Sequence, residues 1–276
     1  VILALLSFLA FADDPESGSS PATGMPAPPH RAVVTSVYDG DTFTLSTGDK
    51  VRLKWVNTPE MKPLEPFAQE AKELTQSFVA GQEVELLFTG VNPRDSYGRL
   101  VAGARTAEGN LSEALLRAGL AHLFVIPPDD TDITPLIAAQ EEARQARRGI
   151  WGSDTFQGTF HLTSFHANAP GDDNLNVNGE YLRICNVTSQ PASLEGWRLV
   201  NDAGNTFRFP GVVIPAGHTA RVMSGKGASG PDAIGKIEVY LGSDVPIWSN
   251  EGDKAQLYDP QGIRRDLREH HGSASH

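Results

Sequence analysis

The chain has a single cysteine, Cys185, among 276 residues, so no disulfide can form within it and its stability rests on packing. Basic charge is also scarce. Lys and Arg number 23 against 34 Asp and Glu, a formal net charge of −11. The deficit runs through both halves, with 13 basic against 17 acidic residues in 31–151 and 10 against 14 in 152–276. Neither half has the cationic excess of a protein that holds nucleic acid by a broad positive face. A polyanion would have to be gripped by a few local arginines and a metal. Long apolar runs are missing too: residues 1–12 are uncharged but shorter than the roughly 20 residues that span a bilayer. They end in Ala10-Phe11-Ala12 before Asp13-Asp14, a small-x-small pattern expected of a secretory leader at its cleavage site. Residues 13–30, rich in Pro, Ser and Gly, are expected to be a disordered linker. Such a leader implies a secreted, periplasmic or cell-surface protein. Cys185 lies in the alternating run 181–186, where a small buried hydrophobe is the expected role.

From Arg31 onward the pattern predicts a meander of three strands at 32–38, 42–46 and 50–56, separated by turn residues at Asp39-Gly40 and Thr47-Gly48-Asp49. Helical spacing of Phe67, Ala71, Leu74, Phe78 and Val79 predicts a helix over 66–80, closed by Gly81. Strands at 83–89 and 99–104 follow, then helices at 111–118 and 135–148. This order suggests a small Greek-key barrel of the OB type carrying helices.

Three motifs in this half carry chemistry. They are Asp39-Gly40-Asp41-Thr42, the run from Arg52 through Asn57-Thr58-Pro59 to Glu60, and Asp95-Ser96-Tyr97-Gly98-Arg99. Brought together, they would set oxygen donors for a hard cation beside two arginines for a phosphate and a glutamate for water. Each motif alone has a plainer reading. Asp-Gly-Asp makes a hairpin turn, the arginines can be strand residues with solvated ends, and Glu60 after Pro59 suits the start of a helix.

In order and spacing, these motifs, together with 113–121 and 139–151, resemble the thermonuclease (staphylococcal nuclease) family over residues 31–151. The resemblance implies a calcium-dependent phosphodiesterase acting on DNA and RNA and leaving 3′-phosphates. It implies Asp41, the side chain of Asn57 and the carbonyl of Thr58 as metal ligands, with Asp39 behind them. Glu60 would activate water, Arg52 and Arg99 would hold the scissile phosphate, and Tyr97 would help to position the nucleotide. Three positions depart from the family: Asn57 replaces an aspartate, Ser96 replaces a lysine, and the segment 119–127 lacks nucleotide-packing tyrosines. Phe124 is the nearest aromatic there, for the nucleotide or for the core. His122 is expected to be half-buried or on the surface.

Beyond Trp151 the texture changes. Short alternating runs at 158–165, 181–186, 197–201, 206–209, 218–223 and 255–258, parted by turn clusters, predict an antiparallel β-sandwich over 155–262. Glu180-Tyr181-Leu182-Arg183-Ile184-Cys185-Asn186, Leu194-Glu195-Gly196-Trp197, Phe209-Pro210, Ile214-Pro215-Ala216-Gly217 and Trp248 to Asp253 resemble the lamin-tail domain, an immunoglobulin-like sandwich. That resemblance implies tethering or substrate positioning and names no partner. Trp197 and Trp248 are expected in the core. Asp172-Asp173-Asn174 with Asn176 and Asn178 is open to two readings, a calcium loop or ordinary loop composition. Residues 263–276 are expected to be a disordered tail, its histidines forming no site. The leading expectation is an exported metal-dependent nuclease; the alternative is a catalytically inactive module that binds nucleic acid or a partner and is anchored by the sandwich.

Overall fold

A computed structural model describes residues 27–89, 93–156 and 158–272, so the expected leader and all but the end of the linker lie outside the described residues. β1 (Arg31–Val37), β2 (Thr42–Leu45) and β3 (Lys50–Leu53) make the expected meander. The third strand stops short of Val56. Trp55 takes a positive φ of 69°, which turns β4 (Trp55–Asn57) out of the meander. α1 (Ala68–Val79), β5 (Glu83–Leu87), β6 (Leu100–Thr106) and a two-residue β7 (Gly109–Asn110) follow. α2 (Leu111–Ala118) begins where the Asn110 side chain accepts the Glu113 N–H and ends at Gly119 with φ 72°. β8 (His122–Phe124) pairs with β4, and α3 (Thr134–Gln145) completes the domain.

The strand order β3-β2-β1-β5-β6 closes on itself through a parallel pairing of β3 with β6, Arg52 standing opposite Val101. Closure buries Val34, Phe43, Leu45, Val51, Leu53 and Leu100 almost completely. Each such side chain contributes about 1.5–3 kcal/mol by leaving water.

The second half is a sandwich of two sheets. β9 (Phe160–His166), β10 (Tyr181–Asn186), β15 (Thr219–Met223), β16 (Gly230–Pro231) and β17 (Ile237–Tyr240) form one, in the order β16-β17-β15-β10-β9. β12 (Arg198–Val200), β13 (Thr206–Arg208), β18 (Gly252–Tyr258) and β19 (Arg264–His271) form the other, with β11 (Ala192–Ser193) and β14 (Val213–Ile214) pairing beside them. One pairing, β15 with β17, is parallel rather than antiparallel. Phe160 meets Trp197 edge to face at 5.1 Å, and Phe165 meets Trp248 at 4.8 Å, which places both tryptophans in the core as expected.

The expectation of a disordered tail is corrected. Residues 264–271 form β19, paired with β18 from Gly252 opposite His271 to Tyr258 opposite Arg264. The buried positions of this strand are Asp266 and His270, so hydrophobic alternation gave no sign of it. Asp266 is satisfied across the sandwich, accepting the Leu162 N–H at 2.5 Å and lying 2.7 Å from His161 Nδ1.

The two halves are packed together. Val125 donates its N–H to Gly217 O at 3.0 Å, and its carbonyl accepts the Thr219 N–H at 2.9 Å. Gln140 accepts the Leu123 N–H and donates to Val187 O, tying α3 to both domains. Ala143, Ile150 and Trp151 cluster with Cys185 and Val187. Gly217 is required at the joint: its φ is +70°, and a Cβ there would sit 2.8 Å from Leu123 Cδ1. Cys185 is the small buried residue expected, its Sγ 3.0 Å from Leu123 O, and burial pushes its thiol well up. A thiol reagent at pH 8 should therefore leave Cys185 unmodified in the native protein and label it fully in denaturant. Gly217→Val should speed native labelling; equal rates in both proteins would show that this joint does not shield the thiol.

Candidate active site

Asp39-Gly40-Asp41 forms the turn between β1 and β2, and two contacts fix it. Thr75 Oγ1 on α1 donates to Gly40 O at 2.6 Å, and Gly40 lies so close to Thr58 and Ala71 that a Cβ would meet them at 2.7 and 2.8 Å. The close approach lets the Asp41 carboxylate reach across the sheet. Its Oδ2 accepts the Thr58 N–H at 2.9 Å and the Thr58 hydroxyl at 3.0 Å, and lies 3.2 Å from Arg52 Nη1. Its Oδ1 accepts the Thr42 hydroxyl, while Asp39 Oδ1 accepts the Asp41 N–H.

Arg52 on β3 is buried, and its guanidinium is held rigidly. Nη1 donates to Leu53 O at 2.7 Å and Val56 O at 3.0 Å, and Nη2 donates to Asn57 Oδ1 at 2.9 Å. Arg99 immediately precedes β6, two residues before Val101, the residue facing Arg52. The barrel closure therefore brings the strand that carries Arg52 beside the strand that Arg99 leads into. Asp95 organises the second motif: Oδ1 accepts the Tyr97 and Arg99 N–H groups, and Oδ2 accepts Arg99 Nε at 2.8 Å. Its role went unread in the sequence, although the Asp-Ser-Tyr-Gly turn was its signal. Tyr97 is half exposed, and the Arg99 guanidinium lies 5.4 Å from its ring centre.

Glu60 follows Thr58 and Pro59 and is half-buried. Burial first, then Asp41 and Asp39, push its carboxyl up to about 8, with Arg268 of the second domain opposing them. Asp39 is raised as well, by burial and then by Asp41, with Arg52 working against the shift. These acids repel one another in a site short of positive charge. Such repulsion suits a divalent cation, whose charge would relieve it. The oxygen donors are of calcium type, but no group of three His, Cys, Asp or Glu side chains is arranged to hold a metal among the described residues. A cation here would take one carboxylate from Asp41, the carbonyl of Thr58 and the amide oxygen of Asn57, which is now shared with Arg52. Water and substrate oxygens would fill the remaining positions.

Of the two readings open for Phe124 the structure favours the core, the residue being 5% exposed. His122, expected half-buried or on the surface, is internal at 2% exposed. Being on β8, which pairs with β4 and abuts the second domain, His122 is covered from both sides. Its Nδ1 contacts Leu123 O at 2.8 Å, and its ring faces His161, which sits beside Asp266. In the 172–178 loop both carboxylates accept hydrogen bonds from the protein: Asp172 from Asn174 within the loop, and Asp173 from Ala169 and from Asn250 near β18.

Burial, followed by the charges of His161, Arg52 and Arg268, lowers the His122 imidazole from 6.5 to about 3, against a weaker opposing bond from Leu123. Between these values the unfolded chain takes up a proton that the folded chain refuses. The stability from neutral His122 is thus complete above 6.5 and is lost as pH falls towards 3. Urea unfolding at pH 7.5 and 5.5 should show the native protein losing about 1 kcal/mol more than His122→Gln over this step. Equal losses would show that His122 does not titrate on unfolding.

Comparison with known proteins identifies the two domains. Residues 50–153 match the family described as staphylococcal nuclease homologue, and residues 157–271 match the lamin tail domain. A thermonuclease of Staphylococcus intermedius is 31% identical over 126 residues, covering 43% of this chain and 74% of that protein. An endonuclease of Escherichia coli O157:H7 is 32% identical over 121 residues, again 43% of this chain and 74% of that protein. Endonuclease YncB of Bacillus subtilis (strain 168) is 29% identical over 126 residues, 43% of this chain and 60% of that protein. With a relative above 30% identity matched over most of its length, the chain belongs to the staphylococcal nuclease family, a lamin tail domain following the nuclease domain.

Proposed function

We propose that the protein is an exported, metal-dependent nuclease that hydrolyses DNA and also RNA by attack of water on phosphorus, leaving 3′-phosphates. Nuclease activity follows from its family. The observation that supports the finer reading is the Asp41–Arg52 ion pair, with the Glu60 carboxyl raised by Asp41 and with Arg99 immediately before β6, the strand that pairs with β3. Glu60 takes the proton of the attacking water. Arg52 and Arg99, oriented by Asp41 and Asp95, hydrogen-bond the non-bridging oxygens as charge develops on them. Tyr97, exposed beside Arg99, offers a face to the nucleotide. A divalent cation, with calcium preferred for an all-oxygen donor set, supplies neutralising charge at the phosphate when bound. The leader-like residues 1–12 support a secreted, periplasmic or cell-surface location.

Incubation of the purified chain with single-stranded DNA and with RNA, across calcium, magnesium and manganese, should give cleavage that a chelator abolishes. Absence of cutting with every metal by folded protein would sink the enzymatic reading. Glu60→Gln and Arg99→Ala should each lower kcat by about 100-fold or more without unfolding the barrel. Unchanged turnover in both would place the chemistry elsewhere. Product ends settle the regiochemistry: release of inorganic phosphate by a 3′-phosphatase is expected.

A further inference from the structure

We propose that Arg268, on the last strand of the lamin tail domain, is a positioning residue for Glu60 of the nuclease domain and acts through Glu65. Its effect on turnover presupposes the nuclease reading above; its effect on the Glu60 loop does not.

Glu65 connects the two domains with one carboxylate. Oε1 accepts Arg268 Nη1 at 2.7 Å, and Oε2 accepts the backbone N–H of Glu60 at 2.9 Å. The Glu65 N–H in turn donates to Glu60 O at 2.9 Å, so residues 60–65 form a closed loop with Glu60 and Glu65 at its neck. Within it Met61 bridges Leu64, and the tip is exposed, Leu64 at 70%. The tip therefore contributes little packing, and the direction of Glu60 depends on the polar bonds at the neck.

Packing from the second domain is also incomplete here. A cavity of about 140 Å³ lies between the domains, bounded by Pro59, Glu65, Phe67, Phe156, His161 and Arg268. The Arg268–Glu65 pair borders this space and is more shielded than an ordinary surface pair, its side chains 20% and 32% exposed. Arg268 itself is held in register opposite Ala255 on β18. A guanidinium fixed on a sheet thus holds the carboxylate that fixes the Glu60 backbone. Without it, Glu65 can swing into the cavity, the Glu60 N–H loses its acceptor, and the water-activating carboxylate drifts. In catalytic geometry a shift of about 1 Å can cost two orders of magnitude in rate. The sandwich is in this sense part of the nuclease site.

The test uses the full chain and two readouts, hydrogen exchange of a peptide covering residues 59–67 and steady-state cleavage of single-stranded DNA with calcium. Arg268→Ala should raise exchange in that peptide about tenfold, leave β2 and β3 unchanged, and lower kcat about tenfold with KM within about twofold. Arg268→Lys should restore at least about half of kcat, since one charged donor suffices for Oε1. Glu65→Ala should reproduce the loss, and the double variant should lose no more than either single one, as members of one relay do. The proposal is overturned if Glu65→Ala leaves the loop exchange at the native rate, if Arg268→Ala does so while folded, or if the two losses are additive. Should Arg268→Ala fail to fold, Glu65→Ala and Arg268→Lys carry the same decision. A native chain that cuts nothing would end the nuclease reading, whereas the exchange rates would still decide whether Arg268 holds the loop.

Discussion

The site depends on one buried carboxylate. Asp41 accepts the Thr58 N–H and hydroxyl and pairs with Arg52, so a single side chain joins the β1–β2 turn, the closing strand of the barrel and the segment that leads to Glu60. Both partners of the ion pair are more than nine-tenths buried. Removing one member of such a pair costs about 3–5 kcal/mol, because the other is left uncompensated out of water. The same bonds that hold the fold set the direction of the arginine. Stability and orientation cannot be separated at this residue, and each tolerates only the geometry that satisfies the other.

Around Asp41 the protein gathers more negative charge than its arginines balance. Asp39 and Glu60 are both pushed up, chiefly by burial and then by their acidic neighbours. Within a chain of net charge −11, no cationic excess is available to draw in a polyanion, so the oriented guanidinium groups of Arg52 and Arg99 stand out as fixed positive charge. Asp95 holds Arg99 through two hydrogen bonds and accepts the Tyr97 N–H in a third, so one carboxylate fixes both neighbours.

Much of this was legible in the sequence, and the gaps have physical causes. α2 falls on the residues expected because Asn110 and Gly119 mark its ends chemically. The strand at 50–56 was overextended because nothing in Lys54-Trp55 announces a positive φ; the break is imposed by pairing with β8. β19 escaped notice because its interior positions are Asp266 and His270, satisfied by long-range partners such as Leu162 and His161. His122 looked like a surface residue because its cover comes from a domain some forty residues further along the chain. The grouping of the motif residues rests on a family resemblance; within it, Asp41 meets Arg52 and Thr58 across 11 and 17 positions of chain. Glu65 and Arg268, separated by some 200 positions, left no local pattern to find.

The joint at Val125 has a wider consequence. Its N–H and carbonyl are both taken by the loop and strand around Gly217 and Thr219, so the hydrogen-bonded framework of one domain continues into the next. A boundary drawn between the two family matches is a boundary in sequence only. Exchanging either half for an unrelated one would leave Val125 without the Gly217 and Thr219 partners of its N–H and carbonyl, so the two halves fit each other and are not interchangeable cassettes.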